Sequence, residues 1–148
     1  MTEEEYLIYE RDSITRHEYY NGRIYAMTGG TESHNLIAAN TLATLHSQLR
    51  QRPRRVYQSD IRVKIDQTGL NTYPDVLVIC DQPQFTDTTR DTVTNPMVII
   101  EVLSPSTERY DCGMKFQHYR TIKTLQDYLL LAQNKQYIEH YSRREDGE

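Results

Sequence analysis

YPDVLVIC at 73–80 and NPMVIIEVLSPST at 95–107 are the two runs that decide the fold. Both read as strands, because apolar and β-branched residues dominate them. Each carries one acid in or beside its apolar run, Asp75 in the first and Glu101 in the second. An ionised carboxylate among apolar neighbours is costly unless something compensates it. An antiparallel pairing that opposes Asp75 to Glu101 also opposes Leu77 to Ile99 and Ile79 to Met97, and alternation puts all of them on one face. That register centres the connection on Thr88, inside the polar stretch TDTTRDT at 86–92 where a turn region is independently expected. The two acids then meet at one end of the pair. Opposed carboxylates repel, so either a divalent cation sits between them or both simply lie at solvated strand ends.

Outward from this pair, TEEEYLIYER at 2–11 predicts a short helix with Thr2 as its cap and acids in its first turn. RHEYYNGRIYAMT at 16–28 holds Asn21-Gly22 between two aromatic runs, a hairpin signal because both turn residues accept positive φ. GGTESHNLIAANTLATLHSQLRQ at 29–51 opens with glycines and cap-type residues. It then sets Ala38, Leu42, Leu45 and Leu49 at helical spacing and stops before Pro53. RRVYQSDIRVKID at 54–66 predicts one half-buried strand with a phase slip near Ser59, read as a bulge. STERYDCGMKFQHYRTI at 106–122 predicts one helix with Cys112, Phe116 and Tyr119 on a stripe, and Ser104 and Ser106 shape the turn before it. DYLLLAQ and QYIEHYS form two last strands joined near Asn134-Lys135. The order predicts an α/β domain, a central mixed β-sheet with an N-terminal antiparallel hairpin and flanking helices.

The 148 residues suit one domain spanning 1–148. With 37% hydrophobic and 26% charged residues the composition is that of an ordinary globular protein. No run of 18 apolar residues exists and the first ten residues are acidic, so a cytoplasmic protein with no membrane partner is expected. Cys80 and Cys112 lack metal-type spacing and read as reduced structural thiols. A net charge of -4 excludes a polycation with built-in, global attraction to nucleic acid. One local basic stretch, RQRPRRV at 50–56, offers Arg50, Arg52, Arg54 and Arg55 either as phosphate contacts or as a solvated helix end.

HEYYNGRIYAMTGG, SHN at 33–35, YPDVLVIC, NPMVIIEVLSPST and YDCGMKFQHYR together resemble the Uma2 family of restriction-endonuclease-like proteins, within the PD-(D/E)XK nuclease superfamily. The resemblance covers nearly the whole chain. It implies a restriction-endonuclease-like fold, Mg²⁺ (or Mn²⁺) as cofactor, and hydrolysis of phosphodiester bonds in DNA; the sequence leaves the oligomeric state open, a homodimer included. By that resemblance Asp75, Glu101 and the backbone carbonyl of Val102 hold the metal, Glu32 is an outer ligand, and His34 transfers a proton or contacts phosphate. Glu18 resembles the family's hairpin acid, although a charged residue on an exposed strand face would explain it equally well. The superfamily's lysine two residues after the second acid is Leu103 here; Lys115, on the following helix, takes its place in the family pattern. Asp111 and Lys115 also stand at i, i+4, the spacing of an ordinary surface ion pair. Arg52, Arg54 and Arg55 are the candidate nucleic-acid contacts. The family domain usually continues beyond SRREDGE, so one or more C-terminal strands are expected to be missing. Two rivals to a metal-dependent endonuclease stay open: a catalytically weak DNA-binding relative, and a structural or interaction domain whose acids are incidental.

Overall fold

The computed structural model describes residues 1–27, 30–105 and 107–144; Ser106 therefore lies outside the described residues. Helix α1 (Glu3–Asp12) begins with a capping box in which the Thr2 hydroxyl accepts from the Glu5 N–H and the Glu5 carboxylate accepts from the Thr2 N–H. Strands β1 (His17–Tyr20) and β2 (Arg23–Ala26) form the expected hairpin, and Asn21 and Gly22 take φ of 51° and 84° at its turn. Helix α2 (Glu32–Leu49) starts at Thr31, whose hydroxyl accepts from the His34 N–H. Its stripe of Ala38, Leu42, Leu45 and Leu49 is only half-buried.

The segment 54–66 is not one bulged strand. It forms β3 (Arg54–Tyr57) and β4 (Arg62–Lys64), which belong to different sheets and are separated by a turn at Ser59 and Asp60. The phase slip near Ser59 is therefore a chain exit from one sheet and an entry into the other. Burial hid it, because Arg62 is as buried as an apolar residue. Its guanidinium donates to the Thr92 hydroxyl and the Tyr73 hydroxyl and lies 3.2 Å from the Asp91 carboxylate.

One sheet has the order β2-β1-β5-β4-β7, completed by the two short strands β5 (Asn71–Thr72) and β7 (Thr92–Val93), with β7 parallel to β4. The other has the order β10-β9-β8-β6-β3 and contains β6 (Val76–Cys80), β8 (Val98–Val102), β9 (Asp127–Leu131) and β10 (Ile138–Ser142). Here β8 runs parallel to β9 and antiparallel to β6. The mixed α/β class holds, with the strands divided between two mixed sheets. One apolar cluster joins them, since Val63 and Val93 of the first pack with Leu77, Ile79, Ile99, Leu103, Tyr128 and Leu130 of the second.

The β6–β8 register is the expected one: Val76 opposes Ile100, Leu77 opposes Ile99 and Val78 opposes Val98. Continued by one residue it opposes Asp75 to Glu101. Both acids thus project from the face that carries Leu77, Ile79, Ile99 and Leu103. The expected single helix at 106–122 is two, α3 (Glu108–Cys112) and α4 (Met114–Tyr119), broken at Gly113 with ψ of -98°. A Cβ at Gly113 would come within 3.0 Å of the Arg109 carbonyl, so glycine lets the second helix turn its face onto the strands.

Candidate active site

Asp75 and Glu101 are tied together through the backbone. The Asp75 N–H donates to Glu101 Oε1 at 3.0 Å, and the Val102 N–H donates to Asp75 Oδ2 at 2.7 Å. Each carboxylate thus accepts from the opposing strand, which is how two facing acids coexist at a strand end. The Val102 peptide stands beside both.

Lys115 completes the arrangement. It is 3% exposed, as is Glu101, and its Nζ donates to Glu101 Oε2 at 2.8 Å. Nζ also lies 3.5 Å from Glu18 Oε2 and 3.8 Å from Asp111 Oδ1. The i, i+4 spacing of Asp111 and Lys115 therefore describes a buried pair, not a surface one. Glu18 is buried as well, and accepts from the Thr72 hydroxyl. Leu103, at the position of the superfamily lysine, packs into the core. The ammonium at this strand end comes from α4 instead.

Three carboxylates, Glu18, Glu101 and Asp111, surround the Lys115 ammonium, and Asp75 pairs with His34 beside them, so acids outnumber cations in the site. Burial pushes the Glu101 carboxyl well above the usual carboxylate range, although Lys115 acts against it. Burial likewise raises Asp111 to about 6. Burial alone would lower Lys115, but Glu101, Tyr119, Glu18 and Asp111 reverse that and hold it protonated.

His34 reaches the site from the first turn of α2, with Nε2 at 3.2 Å from Asp75 Oδ2. The hydrogen bond to Asp75 raises its pKa against the opposing effect of burial. Its Nδ1 is buried with no hydrogen-bond partner among the described residues. Gly30 explains how the ring fits: a Cβ there would stand 2.4 Å from Nδ1 and 2.6 Å from Cγ.

The remaining sequence candidates are placed elsewhere. Glu32 is exposed at the start of α2 and makes none of these contacts. Arg54 pairs with Cys80 and donates to its Sγ. Arg50, Arg52 and Arg55 are exposed nearby. The four arginines gather at the end of β6 away from Asp75, roughly 17 Å along the strand at about 3.3 Å per residue.

Two features were missed in the sequence. Asp111 was read only as half of a surface pair. A second buried network on the other face of β1 escaped entirely: Glu10 accepts from the His17 N–H and the Tyr73 hydroxyl, and that hydroxyl accepts from Arg62. For the second, the signal was the alternation in HEYY, which puts His17 and Glu18 on opposite faces of β1, His17 against Glu10 and Glu18 near Lys115.

In chemistry the donors suit a hard divalent cation. Asp75 and Glu101 offer carboxylate oxygens on adjacent strand ends within a cluster that carries excess negative charge. Among the described residues no group of three or more His, Cys, Asp and Glu side chains forms a ready metal cage. The candidate ligand set is therefore the two acids with the Val102 carbonyl, an open site.

A family model described as "Putative restriction endonuclease" (Uma2) matches residues 3–148. Two uncharacterized proteins of Synechocystis sp. (strain ATCC 27184 / PCC 6803 / Kazusa) are similar in sequence. The protein sll1609 is 38% identical over 143 residues, 97% of this chain and 81% of that protein. The protein slr1290 is 38% identical over 148 residues, 100% of this chain and 77% of that protein. Among solved structures, a "putative nuclease belonging to DUF820" from Anabaena variabilis ATCC 29413 shares the fold at a TM-score of 0.70 and 17% identity, covering 93% of this chain and 82% of that one. The family match spans nearly the whole chain: the chain belongs to the Uma2 family, whose description is "Putative restriction endonuclease".

Proposed function

We propose that the protein is a metal-dependent endonuclease that hydrolyses phosphodiester bonds in DNA, with its site at the Asp75–Glu101 strand end. The observation that carries this reading is the 2.8 Å contact of Lys115 with Glu101. It brings a buried cation to the end of β8 although the strand itself offers only Leu103. A pair of acids lying incidentally at solvated strand ends would not account for this buried cluster, in which Glu101, Glu18 and Asp111 together hold one ammonium at the strand end.

Asp75, Glu101 and the Val102 carbonyl would hold Mg²⁺ or Mn²⁺. Bound there, the ion supplies polarisation of a phosphoryl oxygen and activation of water near neutral pH. Lys115 orients the attacking water and stabilises the charge that develops on the phosphate, a task for a preorganised, water-excluded cation. Glu18 and Asp111 keep the ammonium aimed at the strand end. His34, oriented by Asp75, would transfer a proton or contact a phosphate oxygen. Arg52, Arg54 and Arg55 would take phosphates farther along the strand, roughly 17 Å from Asp75 at about 3.3 Å per residue of β6.

The test is nicking of supercoiled plasmid in Mg²⁺ or Mn²⁺ against an EDTA control, for the wild type and Asp75→Asn. Nicking only by the wild type with metal is expected. Equal nicking by Asp75→Asn, or none by either, overturns the reading.

A further inference from the structure

A cleft of about 430 Å³ opens beside the acidic cluster, between the β1–β2 hairpin and the α3–α4 break. Glu18, Tyr20, Tyr25, Tyr110, Met114 and His118 line it. Its walls are aromatic, and two of them are fixed. The Tyr20 and His118 rings meet edge to face at 4.8 Å, and His118 Nδ1 is held by the Thr68 hydroxyl at 2.8 Å. Its rim is apolar but wet: Tyr25 is 49% exposed and Met114 67%. Neither contributes to the core, so the fold does not account for them.

The cleft is continuous with the candidate active site. Glu18 lines it and also lies 3.5 Å from Lys115 Nζ, while the Tyr110 ring centre is 5.6 Å from that same ammonium. The hairpin register opposes Glu18 to Tyr25 and Tyr20 to Arg23. Opposed residues of an antiparallel pair share a face, so the Arg23 cation stands on the cleft's side of the hairpin, next to Tyr20. Stacking surfaces, a cation on the same face and a phosphate-chemistry site next door make up the set that recognises one nucleotide of an unpaired strand. Stacking does not depend on net charge, which suits a chain carrying -4.

We propose that this cleft receives an unstacked base of the nucleic-acid substrate, so that the protein acts on unpaired or single-stranded segments. The inference rests on the nuclease reading for the identity of its ligand. A duplex whose bases stay stacked cannot fill the cleft. A peptide or small apolar compound would fill it without any preference between single and double strands.

The test is made in EDTA, where no cleavage is expected, with a fluorescein-labelled oligonucleotide carrying one 2-aminopurine, used single-stranded or fully paired. Wild-type protein should bind the single strand at least about fivefold more tightly than the duplex and quench the 2-aminopurine. Tyr25→Ala should lose at least about fivefold in affinity for the single strand, the low end for one stacking platform, and Tyr25→Phe should retain it. An abasic residue at the labelled position should weaken binding as Tyr25→Ala does. Equal affinity for both forms, an unchanged Tyr25→Ala, or no binding overturns the inference. Parallel cleavage in Mg²⁺ separates the two readings. Cleavage of paired and unpaired strands that Tyr25→Ala leaves unchanged refutes the cleft and keeps the nuclease. Binding with quenching in EDTA and no cleavage in Mg²⁺ keeps the cleft and removes the nuclease.

Discussion

Lys115 is the residue on which the cluster balances. Without it, Glu101, Glu18 and Asp111 would face one another in a buried site, and removing one partner of such an arrangement costs about 3–5 kcal/mol. Lys115→Met should therefore lower stability by that order at pH 8, read from urea midpoints. The deficit should shrink toward pH 5, because the uncompensated acids bind protons more tightly in the folded than in the unfolded state. Asp111 has the same sign in the wild type. Its folded pKa of about 6 lies above the ordinary carboxylate value, so its favourable share is full below about pH 4 and is lost as pH rises through 6. Asp111→Asn should gain stability relative to wild type between pH 4 and pH 7; a constant difference would mean that Asp111 is not titrating there. Asp75 and Glu101 could be brought together from sequence because one register matched both the apolar alternation and the polar connection. Glu18 and Asp111 could not be placed, because alternation tells which face a side chain is on but not what covers that face.

Helix α2 and the Gly30 approach decide how His34 reaches Asp75. Because a Cβ at Gly30 would overlap the imidazole, Gly30→Ala should push the ring off Asp75 while the fold survives. The His34 pKa, followed by NMR, should then fall toward the ordinary value as the carboxylate partner is lost. An unshifted His34 would show that the ring has room to stay. Local chemistry made α1, the hairpin and α2 readable: a Thr2 cap followed by acids, an Asn-Gly turn and a cap followed by a 3.6-residue stripe. The strand break at Ser59 and the helix break at Gly113 were not readable in that way. In the first, a buried Arg62 kept the strand-like pattern running; in the second, the break depends on how α4 lies against the strands.

Along β6 and β8 the molecule separates its charges. Carboxylates collect at one end of β6 and β8, and the arginines at the other end of β6. Under the proposed function, such a layout would let nucleic-acid phosphates be held away from the reacting bond. Arg54→Gln with Arg55→Gln should reduce the slope of log affinity against log salt by about 1–2, near 0.9 per lost phosphate contact. An unchanged slope would return these arginines to a solvated surface. The division into two sheets around one core was not evident from strand count and order, because β5 and β7 are only two residues each and carry no periodicity of their own. The most direct measurement is the single-turnover cleavage rate of Lys115→Met at about pH 6 in saturating Mg²⁺, on protein shown to be folded by circular dichroism. A fall of about 10²-fold or more is predicted, the scale for losing one transition-state donor; a folded Lys115→Met that cleaves at the wild-type rate would contradict the placing of Lys115 as the site's cation.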